Sequence, residues 1–165
     1  ILIKLKLMIN LNKMSDLEWD DYFMQLAQLV SKRSPDPSTK HGCVLIDKDR
    51  RIISTGYNGP VSNINDMEID WSRPAKYMWI IHAEENAVLF AKQSLKDCTA
   101  YVTGEPCAAC FRRFCQIGVK RVVCGNVQSK CLNNEEHLFN RKLANLCNVV
   151  LECPNSSSME KPHNE

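Results

Sequence analysis

His82-Ala83-Glu84 and Pro106-Cys107-Ala108-Ala109-Cys110, whose first cysteine stands twenty-five residues after the histidine, constrain this chain more than any other feature it carries. The two segments offer three metal ligands, His82, Cys107 and Cys110, and one unligated carboxylate, Glu84. A structural zinc is closed by four protein ligands, whereas a hydrolytic zinc keeps one position for water, and no fourth ligand is evident here. Any fold for this chain must therefore bring both segments to one point. Cys107 and Cys110, three apart, lie on one face of a helical turn, with Pro106 suited to the helix start. His82 and Glu84, two apart, diverge inside a helix but converge in its first turn, where the dipole also favours a carboxylate. Zinc lowers the pKa of a bound water to roughly 7, and a neighbouring carboxylate can take the proton and return it to a leaving amine. The implied chemistry is hydrolytic deamination. A bare Cys-x-x-Cys would also fit a redox pair of the thioredoxin type, which leaves the His-x-Glu segment and Pro106 unexplained.

The 165 residues, 44% of them hydrophobic, suit one globular domain with a real core. A net charge of +2 is too close to neutral for a nucleic-acid binder, which would show a basic stripe with interleaved aromatics. A small substrate is expected, with neither nucleic acid nor membrane as partner. Nine cysteines are an odd number without the spacing of a disulfide framework, and two of them are needed as thiolates. A reducing compartment follows, the cytoplasm, or the host cytoplasm if the chain is viral. Residues 1–15 form a leader of uncertain status, apolar-rich but broken by Lys4 and Lys6 and too short to span a membrane. It is either an extension ahead of Met14 or an added edge strand or interface arm. Residues 16–153 carry the domain, and 154–165, with Ser156-Ser157-Ser158, read as a disordered tail.

Trp19, Phe23, Leu26, Ala27 and Val30 recur at helical spacing and predict a first amphipathic helix through Ser31. Cys43 to Ile46 and Arg51 to Thr55 read as antiparallel strands around Asp47-Lys-Asp-Arg50. Gly56 to Tyr77 is a long polar connection, a length that is usually functional and here frames the mouth of the site. Helices over 83–93 and 108–117 alternate with strands over 99–103 and 121–124. A helix over 134–146 and a strand over 148–151 follow. This alternation predicts a parallel stretch of sheet whose helix starts, with the metal ligands, face one edge. Cys115, Cys124 and Cys147 fall in apolar elements and are expected to be buried small hydrophobes. Phe90, Phe111, Phe114 and Phe139 fit either the core or an interface.

His-x-Glu followed by Pro-Cys-x-x-Cys resembles the signature of zinc nucleobase deaminases. With Gly56-Tyr57-Asn58-Gly59, Glu85-Asn86-Ala87 and Asp36-Pro37-Ser38-Thr39-Lys40, the chain is similar to the deoxycytidylate (dCMP) deaminases of the cytidine deaminase superfamily over residues 18–152. The resemblance implies an α/β fold of three layers, α-β-α, with a five-stranded mixed sheet. It implies hydrolysis of dCMP to dUMP and ammonia, supplying dUMP for thymidylate synthesis in pyrimidine nucleotide metabolism. It implies one catalytic Zn2+ per subunit, a homo-oligomer, commonly a hexamer, and allosteric control by dCTP as activator and dTTP as inhibitor with Mg2+. Carried over, His82, Cys107 and Cys110 bind zinc and Glu84 shuttles the proton. The backbone amide of Ala83 binds the cytosine carbonyl, and the backbone carbonyl of Glu105 accepts from the departing amine. Asn58 is the candidate for the deoxyribose hydroxyl, its alternative being a turn residue before Gly59. Asn86, one helical turn from His82, orients that ligand or meets the sugar. Tyr57 and Gly59 belong to the implied effector site.

The substrate phosphate needs its own partners, and the loop Arg33 to Lys40 holds two cations, two serines and a threonine. Ser38 and Lys40 are the candidates there, against a plain solvated loop. Two departures from the family pattern stand out. Pro60 follows Gly59 directly where the family places another residue before its proline, and no Cys or His lies between Cys43 and His82 to build an additional structural zinc site. Alternatives remain within the same chemistry, namely dCTP, deoxycytidine, a tRNA adenosine or a pterin-like ring. A retired nucleotide-binding regulatory subunit is the alternative outside it, although such a subunit has no use for Glu84.

Overall fold

The computed structural model describes residues 17–128 and 132–154. Most of the first and last expected segments, the leader and the tail, therefore lie outside the described residues. Helix α1 (Trp19–Ser31) turns Phe23 and Ala27 inward. Strands β1 (Gly42–Ile46) and β2 (Ile52–Tyr57) follow as an antiparallel pair. A short ladder, β3 (Gly59–Pro60) on β4 (Ile80–Ile81), pinches off the long connection. Then come α2 (Ala83–Leu89), β5 (Thr99–Val102), α3 (Ala108–Gln116), β6 (Arg121–Cys124), α4 (Asn134–Cys147) and β7 (Val150–Glu152).

The five long strands form one mixed sheet in the order β2-β1-β5-β6-β7. β1 pairs antiparallel to both β2 and β5, and β5, β6 and β7 run parallel. β1 is buried along its whole length because it carries helices on both faces. Its side chains alternate: Val44 and Ile46 join Phe23 and Ala27 of α1, while Cys43 and Leu45 join Ala83, Ala87, Phe111 and Phe114 of α2 and α3. Ala144 of α4 lies in that second cluster too. The result is the expected α-β-α sandwich, with α1 on one side and, among the described residues, α2, α3 and α4 on the other. Among the described residues no helix is long and apolar enough to cross a membrane.

Several boundaries differ from expectation for local reasons. α2 stops at Leu89 and not at Gln93, because Leu95 and Cys98 reach the core only if the chain leaves the helix after Phe90. α3 starts at Ala108 as expected, with Cys107 as its N-cap and Pro106 before it, and ends at Gln116, one residue short of the expected Ile117. Asn148, expected to open the last strand, is instead the left-handed cap of α4 at φ 53°, and β7 starts at Val150. Cys147 is exposed, contrary to the expectation of burial, while Cys124 is buried. Phe111 and Phe114 are core residues, whereas Phe90 is exposed. No disulfide joins the described cysteines.

Candidate active site

His82 follows β4 and is the N-cap of α2, in extended conformation at φ −68° and ψ 155°. Cys107 is the N-cap of α3 with almost the same backbone, φ −64° and ψ 161°. Cys110 sits in the first turn of α3, and Glu84 in the first turn of α2. Two helix starts thus meet at one edge of the sheet, as the ligand spacing requires. Nδ1 of His82 lies 3.5 Å from Cys107 Sγ and 3.4 Å from Cys110 Sγ, and the three donor atoms all fall within 4.8 Å of one another. Zn–S bonds of about 2.3 Å and Zn–N bonds of about 2.1 Å at tetrahedral angles put neighbouring N and S donors about 3.6 Å apart. The donor set fits zinc in kind and in spacing.

The electrostatics point the same way. Hydrogen bonding from Cys110 and His82 holds the Cys107 thiol down to about 3, against the opposing effect of burial. Cys110, beside it, is pushed far up, because a second thiolate would face the first and lose water as well. A shared dication removes that conflict by stabilising both anions at once. Glu84 is 6% exposed and ligates nothing in the cluster; burial raises its pKa. A carboxylate that is dry, protonatable and next to a cation site is equipped to carry a proton.

A cleft opens over this cluster. Its inner wall is made by His82, Ala83, Glu84, Glu105 and Cys107. Ala83 is the first residue of α2, so its N–H has no acceptor within the helix. Glu105 is held from outside: its carboxylate takes His137 Nδ1 at 2.7 Å and Asn140 Nδ2 at 3.2 Å, and Asn140 also donates to the carbonyl of Pro106 at 2.9 Å. α4 thereby braces the turn that leads into the two cysteines.

The remaining sequence candidates are distributed unevenly. Asn58 lines the cleft, but both amide hydrogens are committed, to the Thr39 carbonyl at 2.9 Å and to Asp36 Oδ2 at 3.5 Å, and its oxygen accepts the His41 N–H at 2.7 Å. Ser38 adjoins the cleft through hydrogen bonds with Arg73 and Lys76. Lys40 turns away, its ammonium donating to the carbonyl of Ser34. Asn86 donates to the carbonyl of Tyr57 at 2.8 Å, tying α2 to the end of β2. Tyr57 is exposed, and neither it nor Gly59 lines the cleft.

Sequence reasoning missed Asp36, His41, Arg73 and Lys76 as cleft residues. Lys76 and Asp36 form an ion pair at 2.5 Å with both side chains almost fully buried. Asp36 stays ionised because Lys76, Ser38 and Thr39 outweigh its burial. The length of the 56–77 connection marked the region of Arg73 and Lys76 without naming them. His41, its Nδ1 3.2 Å from Thr103 Oγ1, left no sequence signal; burial lowers its pKa.

Residues 17–126 match the family model of the cytidine and deoxycytidylate deaminase zinc-binding region. The chain belongs to that family. It is 33% identical to the human deoxycytidylate deaminase over 141 residues, covering 81% of this chain and 78% of that protein. The deoxycytidylate deaminase of Mycobacterium phage D29 is 36% identical over 124 residues, 67% of this chain and 96% of the phage protein. Among solved structures, the dCMP deaminase of cyanophage S-TIM5, in complex with dCMP and dUMP, superposes with a TM-score of 0.66 at 23% identity, over 84% of this chain and 98% of that one. That likeness establishes the fold of the family, with its five-stranded mixed sheet.

Proposed function

We propose that this protein is a zinc-dependent deaminase that converts dCMP and water to dUMP and ammonia. The observation that carries the reading is a cleft lined by the metal donors His82 and Cys107 together with the buried Glu84, with the third donor, Cys110, within 4.8 Å of the other two. Zinc held by those three residues would supply a water acidified to roughly pKa 7. Glu84 takes one proton of the attacking water and delivers it to the ring nitrogen of cytosine. It then takes the remaining proton from the hydroxyl on the tetrahedral ring carbon and gives it to the departing amine, so that the carbonyl of dUMP forms as the C–N bond breaks and ammonia leaves. The Ala83 N–H, free of helical partners, donates to the ring carbonyl oxygen. The Glu105 carbonyl, braced through its side chain by His137 and Asn140, accepts from the amino group until it leaves.

Asn58 serves the sugar by holding residues 39–41 at the cleft, and Asn86 serves the site by tying α2 to β2. The product would feed thymidylate synthesis. Control by dCTP and dTTP with Mg2+ belongs to the proposal through family resemblance, with exposed Tyr57 at the outer end of β2 as the residue facing an effector. Assembly as a homo-oligomer, a hexamer by the same resemblance, is supported by Met78 and Phe90, apolar yet 91% and 63% exposed. Cytoplasmic residence is supported by the cysteines among the described residues, which form no disulfide.

Ammonia release by the zinc-loaded protein from deoxycytidine, dCMP and dCTP at equal concentration tests the reading, with dCTP or dTTP added in separate arms. Preference for dCMP, abolished in Glu84→Ala with zinc retained, is the expected result. Turnover surviving Glu84→Ala would overturn the mechanism, and turnover of deoxycytidine or dCTP alone would overturn the substrate.

A further inference from the structure

Arg73 lines the mouth of the cleft, exposed, with no carboxylate within ion-pair distance among the described residues. Its bonds run from Nη2 to two neutral hydroxyls, Ser38 Oγ at 3.2 Å and Thr39 Oγ1 at 3.0 Å. Lys76, three residues on, is the opposite case. It is 3% exposed, neutralised by Asp36, and donates to Ser38 Oγ at 2.8 Å.

These contacts assign different tasks to the two cations. The Ser38 hydroxyl accepts from both and donates to Asp36 Oδ1 at 3.0 Å, so it is saturated. Asp36 also accepts the N–H groups of Ser38 at 2.8 Å and Thr39 at 3.1 Å, which makes residues 36–39 a stiff bracket anchored on a buried ion pair. The bracket orients the Arg73 guanidinium through hydroxyls, which fix its position without cancelling its charge. Among the described residues Nη1 and Nε of Arg73 have no partner, and the Thr39 hydroxyl, having accepted from Arg73, still has its own hydrogen to give. A planar fork of donors carrying full charge, with a hydroxyl donor alongside, matches the oxygens of a phosphate monoester. Lys40, spent on the Ser34 carbonyl, offers nothing comparable.

The geometry points to Arg73, assisted by Thr39, as the residue that selects a nucleoside monophosphate over the free nucleoside by taking the substrate phosphate at the mouth of the cleft. This rests on the deaminase reading above. The test is equilibrium binding of dUMP and of deoxyuridine to the zinc-loaded protein by calorimetry, for the native chain, Arg73→Gln and Arg73→Lys, with zinc content and Tm measured on each. The native protein should bind dUMP more tightly than deoxyuridine, and Arg73→Gln should cut that advantage by about tenfold to a hundredfold. Arg73→Lys should recover part of it, since the charge survives and the fork does not.

If the native protein neither prefers dUMP nor turns over dCMP, the deaminase reading falls and this inference with it. If it does both and Arg73→Gln keeps the full advantage, the role of Arg73 alone is overturned. Equal loss of both ligands in Arg73→Gln would mean a merely structural part and overturn it as well. Should Arg73→Gln lose zinc or melt early, an advantage in Arg73→Lys as large as the native one overturns the proposal.

Discussion

Asn58 Oδ1 accepts the backbone N–H of His41 at 2.7 Å while Asn58 Nδ2 donates to the carbonyl of Thr39 at 2.9 Å. One side-chain amide at the end of β2 thus stands in for a strand partner to residues 39 and 41, and so sets the part of the cleft wall made by Thr39 and His41. Asn58→Ala would leave both backbone groups without their partner, at roughly 1–3 kcal/mol for each one that stays dry. Urea denaturation should show a loss of that order, and the Michaelis constant for dCMP should rise with it. A stability change under about 0.5 kcal/mol, the range of an ordinary surface substitution, would remove Asn58 from this role.

Gly56 is required by the approach of α2 to β2. A Cβ added there would meet the Ala83 carbonyl oxygen at 2.2 Å and the Ala87 nitrogen at 2.3 Å, both backbone atoms that cannot step aside. Gly56→Ala must therefore push α2 outward, carrying His82 and Glu84 with it. The expected outcome is a destabilisation of about 1–3 kcal/mol together with reduced zinc occupancy, read by metal analysis of the purified variant. Gly59→Ala is the contrast, since the nearest atom to its added Cβ is 3.4 Å away.

Removing the metal should destabilise the protein as well as silence it. Without the cation Cys110 is left as a protonated thiol beside the Cys107 thiolate and the zinc bonds are lost; a ligand bound to the folded state alone contributes about 4 kcal/mol at a thousand times its Kd. Treatment with a chelator should lower Tm and abolish ammonia release, with both restored by Zn2+ and neither by Mg2+. Cys110→Ser, with a harder donor, should behave as the chelated protein at stoichiometric zinc.

Asp20 joins α1 to the sheet through Arg121, at 2.8 Å and 2.6 Å, and accepts the Tyr101 hydroxyl at 2.7 Å. Hydrogen bonding by Arg121 holds its carboxyl at about 2, below the ordinary 3.8. Because the folded pKa is the lower one, the pair stabilises the protein above pH ~4 and loses that contribution as the pH falls through about 2. The Asp20 side chain is 48% exposed, so solvent screening limits the effect to about 1 kcal/mol. Thermal melts of the native protein and Asp20→Asn should differ at pH 7 and converge as the pH drops from 4 toward 2. A gap unchanged over that range would mean that Asp20 acts through something other than its charge.

The metal cluster was legible in the sequence because each ligand lies within a local unit, a His-x-Glu at one helix start and a Cys-x-x-Cys at another, whose geometry three or four residues suffice to specify. The sheet was legible because β-rich runs alternated with helical periodicity. The boundaries that moved did so through long-range burial: Leu95 ends α2 by folding into the core, and Asn148 caps α4 where a strand was expected to begin. Lys40 and Arg73 make the same point for the site. Both are cations in polar loops, and nothing local distinguishes them, yet one is spent on the Ser34 carbonyl and the other faces the cleft.

The amino-acid sequence by itself determined the parts: the His-Cys-Cys donor set, the carboxylate placed beside it, and the alternation that orders the sheet. Tertiary structure alone decided what surrounds them. Asp36 and Lys76 are forty residues apart and pair at 2.5 Å only because β3 and β4 close the long connection against the loop before β1. Glu105 is held by α4 only because that helix packs beside the turn into α3. Short-range patterns encode helix starts, since capping and ligand spacing act within one turn. Partners brought together by packing have no such spacing, because burial and ion pairing depend on distance in space and leave the separation along the chain free.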